Sequence, residues 1–92
     1  MKKQAQEIYK HFGCYQMNEI REQVFVEVNG NEYLVSTVNI ADMYYETMIF
    51  GSIEQEVDYS HEYYIERYKT EKEALEGHKN AIRNIKSLIK ID

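Results

Sequence analysis

The sequence has a single cysteine, Cys14, no tryptophan, and no apolar run long enough for a membrane-spanning helix. One cysteine excludes an internal disulfide and a zinc knuckle, and a transmembrane helix needs about 18 consecutive apolar residues. The first residues, Met1 to Glu7, carry charge and lack the apolar run of a signal peptide. These absences predict a cytoplasmic protein that does not enter a membrane.

Basic residues are missing from the middle of the chain. Ten carboxylates lie between Glu22 and Glu66 without a single lysine or arginine, and the whole chain has a formal net charge of -5 at pH 7. Such an acidic surface repels nucleic acid and anionic lipid, so we expect direct binding to neither. It can attract the basic groove of a protein that binds nucleic acid, by mimicry of a phosphate backbone. The alternative is a solvated surface that keeps the protein soluble.

Length and composition predict one compact domain over residues 1–92. The chain has 92 residues, of which 43% are hydrophobic, and it contains no low-complexity segment. This is enough for one core and too little for two. A domain of this size buries roughly 60–65% of its unfolded surface, so a shallow surface site is expected rather than a deep cavity.

Alternating and aromatic segments predict four strands. Val24–Val28 alternates, Asn29-Gly30 supplies the two positive-φ residues of a tight turn, and Tyr33–Val38 returns to complete a hairpin. Two further segments are rich in aromatic and β-branched residues. They predict a third and a fourth strand over Tyr44–Phe50 and Tyr59–Tyr68.

The segment between these two strands is acidic. Gly51 is expected to end the third strand, and Ser52–Asp58 is then a loop or a continued hairpin arm. In a loop, the alternate carboxylates of Glu54, Glu56 and Asp58 could collect a hard cation; in a strand, they line a solvent-facing edge. The glycine and the closing glutamate of an EF-hand are absent, and we expect no metal site.

Helical periodicity occurs at both ends of the chain. Ala5, Ile8, Tyr9 and Phe12 form the apolar stripe of a short helix, which Gly13 ends. Thr70 and Glu73 have the spacing of a capping box and begin a longer helix that reaches about Lys90. One stripe of that helix is apolar, with His78 at its centre; its members are Ala74, Leu75, His78, Ala81, Ile82, Ile85, Leu88 and Ile89.

Together these elements predict an α+β fold. We expect a four-stranded, mostly antiparallel sheet with a long C-terminal helix packed on one face and a short N-terminal helix at an edge. The other face of the sheet is expected to stay open. An exposed strand edge would also allow a homodimer.

Tyrosine and glutamate alternate on the predicted third and fourth strands. Tyrosine buries area at low conformational cost, so this composition is suited to protein contact; it also suits a half-exposed sheet face with no partner. The predicted partner-binding residues are Tyr44, Glu46, Glu54, Glu56, Asp58, Tyr59, Glu62, Tyr64 and Glu66.

His78 allows two interpretations. It could be a base or a ligand beside Glu46 or Glu66 on the facing sheet, or a neutral core imidazole that is hydrogen-bonded to a strand group. Gly77, which precedes it, costs about 1 kcal/mol relative to alanine within a helix and indicates a close approach. If the protein instead binds or sequesters a small ligand such as a nucleotide, Arg67, Tyr68 and His78 are the predicted contacts.

No catalytic or cofactor motif is present. The chain has no Ser-His-Asp order, no glycine-rich phosphate loop and no His-x-Glu deaminase pattern, and neither His11 nor His61 has metal-site spacing. We therefore expect a non-enzymatic protein without a cofactor.

Two longer blocks and one short strand resemble a known group of proteins. The strand is Ser36–Val38, and the blocks are Glu46–Gly51, with the sequence ETMIFG, and Glu66–His78, with Arg-Tyr-x-Thr followed by Glu-Ala and Gly-His. Together they resemble short, mostly uncharacterised bacteriophage and prophage proteins. The resemblance covers about half the chain and implies a phage origin, without an established activity. Between Val38 and Tyr44 that group tends to carry a longer loop with an Asp-His pair, which this chain lacks.

Charge segregation and this resemblance lead to one main hypothesis. The protein is expected to bind, in the host cytoplasm, a host protein such as a nucleic-acid-processing or defence enzyme, and to inhibit it through its acidic, tyrosine-rich surface.

Overall fold

The computed structural model describes residues 2–4, 20–41 and 44–90. The predicted N-terminal helix over residues 5–12 lies outside these ranges. The elements are β1 (Lys2–Gln4), β2 (Arg21–Val28), β3 (Asn31–Ala41), β4 (Tyr44–Ile53), β5 (Glu56–Tyr68), α1 (Glu71–Arg83) and α2 (Ile85–Leu88).

The strands form one antiparallel sheet in the order β1-β2-β3-β4-β5. The four long strands β2 to β5 confirm the predicted α+β class and the antiparallel sheet. The three-residue β1, which no sequence pattern predicts, is an additional strand on the outer edge of β2. Because each strand pairs with its neighbour in sequence, β3 and β4 are central, and β5 lies at the edge.

The β2–β3 and β4–β5 hairpins turn through residues with positive φ. Asn29 and Gly30 have φ values of 52° and 87°, which confirms the predicted turn between β2 and β3. The β4–β5 turn is made by Glu54 and Gln55, with φ values of 51° and 69°. The acidic segment is therefore a continued hairpin arm, and the expectation that Gly51 ends the third strand is wrong, since β4 runs on to Ile53.

The C-terminal helix begins where predicted but is shorter than expected. Thr70 Oγ1 accepts a hydrogen bond of 3.1 Å from the Glu73 N–H, and Glu73 Oε1 accepts one of 3.3 Å from the Lys69 N–H. The helix then ends at Arg83 instead of reaching Lys90, because Asn84 leaves the helical conformation with φ -108° and ψ 22°. Asparagine is a weak helix former that often occurs at helix ends. The single turn α2 follows.

The apolar stripe nevertheless continues through this break. Five of its residues are buried against one sheet face, namely Ala74, His78, Ala81, Ile85 and Ile89, while Leu75, Ile82 and Leu88 are half-buried. The main cluster beneath them contains Val24, Val26, Val28, Tyr33, Val35 and Ile49. The predicted packing of the helix on one face of the sheet is confirmed.

The expectation that the opposite face of the sheet stays open is wrong. Leu34 and Phe50 are neighbours across β3 and β4 on that face, and both are buried. The ring of Tyr59 lies on Phe50 with its centroid 5.0 Å away. The continuous runs Val24–Val26 and Tyr33–Val35 place apolar side chains on both faces, which is the pattern of strands that are buried on both sides.

α1 approaches the sheet most closely at Gly77. A Cβ atom built on this residue would lie 2.1 Å from the hydroxyl oxygen of Tyr68 and 2.3 Å from its Cζ. Tyr68 is the last residue of β5, so its ring extends from the sheet edge across the helix backbone. The close approach that Gly77 indicates in the sequence is present, and only glycine leaves room for the ring at this position.

We predict that Gly77→Ala destabilises the fold, although alanine is the better helix former. Overpacking against a ring costs about 1–3 kcal/mol, which exceeds the gain of about 1 kcal/mol from helix preference. In a Tyr68→Ala background the contact is gone, so the same substitution should become stabilising. Urea denaturation of the wild type, the two single variants and the double variant measures both effects.

Lys79→Ala, at an exposed position of α1 close to Gly77, is the control and should change stability little, because lysine and alanine are both good helix formers. A stabilising effect of Gly77→Ala in the wild-type background would contradict the tight contact with Tyr68.

Candidate functional site

The end of the β4–β5 hairpin, from Ile53 to Glu62, is the strongest candidate for a binding surface, and we call it the acidic arm. It contains no lysine or arginine, and every residue in it is exposed except Val57, which is half-buried. Ile53 and Tyr59, with 77% and 66% of their surface accessible, are the most exposed large hydrophobic residues in the described part of the chain. Its acidic residues are Glu54, Glu56, Asp58 and Glu62.

A carboxylate outside the arm fixes its turn. Glu32 Oε2 accepts a hydrogen bond of 2.7 Å from the Ser52 hydroxyl and another of 2.7 Å from the Gln55 N–H. Non-glycine residues in the left-handed region are strained by about 1–2 kcal/mol each, so Glu54 and Gln55 need such support. Glu32 offsets part of this strain and ties the turn to β3.

The second half of the arm contains an irregularity in β5. Gly51 pairs with Asp58, but the preceding residue, Phe50, pairs with Glu62. Asp58 Oδ1 stabilises the extra residues by accepting hydrogen bonds from the Ser60 N–H at 3.0 Å and the Ser60 hydroxyl at 2.6 Å. These bonds lower the pKa of Asp58, so its carboxylate stays ionised even in mildly acidic solution. The bulge also places Tyr59 over Phe50.

The other predicted partner-binding residues are divided between the two faces of the sheet. Glu46 is buried on the face opposite α1, and its Oε2 accepts a hydrogen bond of 2.9 Å from Nε of Arg67. Tyr64 and Glu66 lie on the helix side, where the Tyr64 hydroxyl donates to Glu66 Oε1. Tyr44 is exposed at the start of β4. Only Glu54, Glu56, Asp58, Tyr59 and Glu62 lie together, in the acidic arm.

His78 belongs to a buried polar cluster between α1 and the centre of the sheet. Its Nδ1 lies 2.7 Å from Thr37 Oγ1, which in turn lies 2.6 Å from Thr47 Oγ1. Both threonines are completely buried, and neither Glu46 nor Glu66 is a hydrogen-bond partner of the imidazole in the described structure. Burial lowers the pKa of His78 to about 4, so the ring is neutral near pH 7. This is the geometry that the core interpretation of His78 predicts.

Tyr68 forms the wall between this cluster and the solvent. Burial raises the pKa of its phenol, and its hydroxyl makes no hydrogen bond of normal geometry with the described residues. On its outer side lies an open cleft of about 360 Å³ between the end of β5 and α1. The lining residues are Glu66, Arg67, Tyr68, Glu73, Glu76, Gly77 and Asn80.

The charges of this cleft suit a cation better than a phosphate. Three carboxylates line it, and its one guanidinium, that of Arg67, is already paired with Glu46. Of the three residues that were predicted to contact a small ligand, Arg67 and Tyr68 line the cleft, whereas His78 points into the core. The cleft therefore supports a nucleotide less well than it supports an amine or a basic side chain.

Two residues of the site are not among the sequence-predicted ones. Glu32 is distant in sequence from the turn that it supports, and only the pairing of β3 with β4 brings the two together. Ile53 was part of a segment whose structure the sequence left open. An isoleucine directly before the acidic residue Glu54 in this segment was the available signal.

Comparison with protein-family models, with curated proteins and with solved structures gave no match to this chain. In the described ranges, histidine, cysteine and acidic residues nowhere form a group of three that could hold a metal ion. No helix within those same ranges is both long enough and apolar enough to cross a bilayer.

The buried histidine makes stability depend on pH. Unfolding raises the pKa of His78 from about 4 to its ordinary 6.5, so the unfolded chain gains a proton between these values and stability falls as the pH decreases. We predict that His78 contributes a loss of up to about 3 kcal/mol from pH 7 to pH 4. Urea midpoints measured over this range for wild type and His78→Asn give the contribution as a difference.

Asparagine can still bond to Thr37 through its short amide but does not titrate, so the variant should lose less stability on acidification. His61→Gln, at an exposed position, is the control and should follow the wild type. Equal pH slopes for wild type and His78→Asn would show that the imidazole is not held neutral.

Proposed function

We propose that this protein is a non-enzymatic binding protein whose acidic arm contacts a basic surface of a host protein and blocks it. The observation that carries the proposal is the combination, in the exposed arm, of charges of one sign with Ile53 and Tyr59. The resemblance of two sequence blocks to phage and prophage proteins supports a phage origin and action in the host cytoplasm.

The charge of the arm favours a basic partner. Four carboxylates within one short hairpin end create a negative field that no lysine or arginine of the arm reduces. Such a field accelerates association with a positive surface and discourages contact with nucleic acid. A protein with a nucleic-acid-binding groove has the complementary surface, which is why a nucleic-acid-processing or defence enzyme is the proposed target.

The apolar residues of the arm provide the second requirement of a specific interface. Charge alone gives salt-sensitive, weakly selective binding, whereas buried aromatic and aliphatic anchors supply most of the affinity in protein interfaces. Ile53 and Tyr59 each lie next to one acidic residue of the arm, Ile53 to Glu54 and Tyr59 to Asp58. Since Glu32 holds the turn in place, these anchors lose little freedom on binding.

We predict that reversing two charges of the arm weakens binding. The variant Glu54→Lys/Glu56→Lys leaves Asp58 intact, so the Ser60 hydrogen bonds remain. Its affinity for the partner should fall about 10-fold or more at low salt, and the remaining binding should depend less on salt. The partner is first captured from nuclease-treated lysate of a low-GC Gram-positive host and then purified for titration at low and high salt.

Glu27→Lys/Glu71→Lys is the matched control, with the same change of net charge at two exposed positions outside the arm. It should bind nearly as well as the wild type. Equal losses for both variants would indicate a general charge effect, and unchanged affinity of the arm variant would rule out the arm as the binding surface.

We also predict that Ile53→Ser weakens binding at low and high salt alike, because it removes an apolar anchor without changing charge. The loss should be about 1–3 kcal/mol if Ile53 is buried in the interface. Ile40→Ser is the control, since Ile40 is another exposed isoleucine, 42% accessible, at the other end of the sheet. Isothermal titration with the purified partner compares the affinities of the Ile53→Ser and Ile40→Ser variants. Equal affinities would exclude Ile53 from the interface.

A further inference from the structure

The outer edge of β5 is a second candidate binding element, beside the acidic arm. β5 has 13 residues and is the last strand of the sheet, and no described strand pairs with its outer side. Beyond the bulge, the segment from Glu62 to Tyr68 pairs with β4 and keeps four exposed residues, Glu62, Ile65, Glu66 and Arg67. An extended, accessible edge of this kind can accept another strand.

We propose that the edge of β5 from Glu62 to Tyr68 binds an extended basic segment of the partner as an additional strand of the sheet. This inference rests on the proposed function, because it assigns a binding mode to the same basic partner. Main-chain hydrogen bonds would supply affinity, and the side chains along the edge would select the sequence.

Charge complementarity identifies the occupant. The side chains of β5 include four carboxylates, and the single guanidinium, that of Arg67, is paired with Glu46. Side chains on neighbouring strands lie within about 4.5–5.5 Å of each other, where opposite charges stabilise the pair and like charges destabilise it. A second copy of this chain would bring two more carboxylates, Glu62 and Glu66, to the proposed segment of the edge, so a strand with lysine or arginine is the better complement.

The cleft beside the edge fits the same occupant. Glu66 and Tyr68 of β5 line it together with Glu73 and Glu76 of α1, and its volume of about 360 Å³ is open to the solvent. A basic side chain on the added strand that points to the helix side can enter this cleft. Its methylene groups would then contact the Tyr68 ring, and its charge would lie among carboxylates.

Exposed Ile65 supplies an apolar contact on the other face. It is 42% accessible, and it pairs with Met48 in β4 on the side of the sheet opposite α1. A basic segment with apolar residues at alternate positions would place cations on the helix side and aliphatic groups beside Ile65. The expected occupant is therefore an alternating basic and apolar strand.

Two capped synthetic peptides test this proposal. One alternates lysine and valine, and the other has the same sequence with every backbone nitrogen methylated, so that it keeps the charge but cannot donate main-chain hydrogen bonds. With the whole wild-type protein at low salt, we expect methylation to weaken binding at least about 10-fold. Amide hydrogen exchange should show new protection at alternate residues between Glu62 and Tyr68 when the unmodified peptide is bound.

The cleft is tested with Glu76→Gln, and Glu71→Gln on the same helix but outside the cleft is the control. We expect the first to weaken binding of the lysine-valine peptide about 3- to 10-fold and the second to leave it nearly unchanged. Thermal melting of both variants shows whether the fold is retained. Equal affinities of the two variants would overturn the assignment of the cleft to a basic side chain.

Three results would overturn strand addition. Equal binding of both peptides without protection in β5 would indicate charge attraction only, which leaves the proposed function standing. Protection of β5 that rises with protein concentration in the absence of peptide would show that a second copy occupies the edge. If neither peptide binds, the edge is not a peptide site, and the effect of the arm variants on partner binding then decides the proposed function separately.

Discussion

The position of α1 on the sheet depends on one buried hydrogen-bonded chain, Thr47–Thr37–His78. Two hydroxyl groups and an imidazole lie at the centre of the helix–sheet interface, and each would be costly to bury without a partner. The distance of 2.7 Å between His78 Nδ1 and Thr37 Oγ1 requires one rotation of α1 about its axis and one distance of α1 from the sheet. Apolar contacts alone would tolerate small shifts of the helix, whereas this chain does not.

That fixed position determines what happens at the edge of the sheet. With His78 directed inward, Gly77 lies against the ring of Tyr68 at the end of β5, and the next residues outward, Glu73 and Glu76, face the cleft. The acidic arm is different, because the helix does not reach it. Ile89, at the C-terminal end of the helical segment, packs in the same cluster as Tyr33. Tyr33 pairs with Gly51 on β4, and the arm begins two residues beyond Gly51. Residues of the arm therefore contribute little to the core, which leaves them available for recognition.

Local patterns predicted those parts of the structure that local forces determine. The Asn29-Gly30 turn, the capping box at Thr70 and the stripe around His78 each depend on neighbouring residues, and each is present. Features that depend on distant residues were not predictable. Glu32 and Gln55 are 23 positions apart, and their contact makes a tight turn from a sequence without the usual glycine. The division of the predicted partner-binding residues between two faces has the same origin, since it follows from the pairing of Glu46 with Arg67 and of Thr47 with Glu66.

Acidic residues on an edge strand have a simpler use than recognition, since charge and bulges keep exposed strands from pairing with copies of themselves. Both uses follow from the same electrostatics. A strand edge of one charge repels another copy of the same edge and attracts an edge of the opposite charge, so protection against self-association and selection of a basic partner do not conflict. Protection alone, however, does not require exposed apolar groups. Ile53, Tyr59 and Ile65 are exposed within or beside the acidic residues, where a purely protective edge would be expected to carry polar side chains. Their presence favours recognition as the reason for the charge.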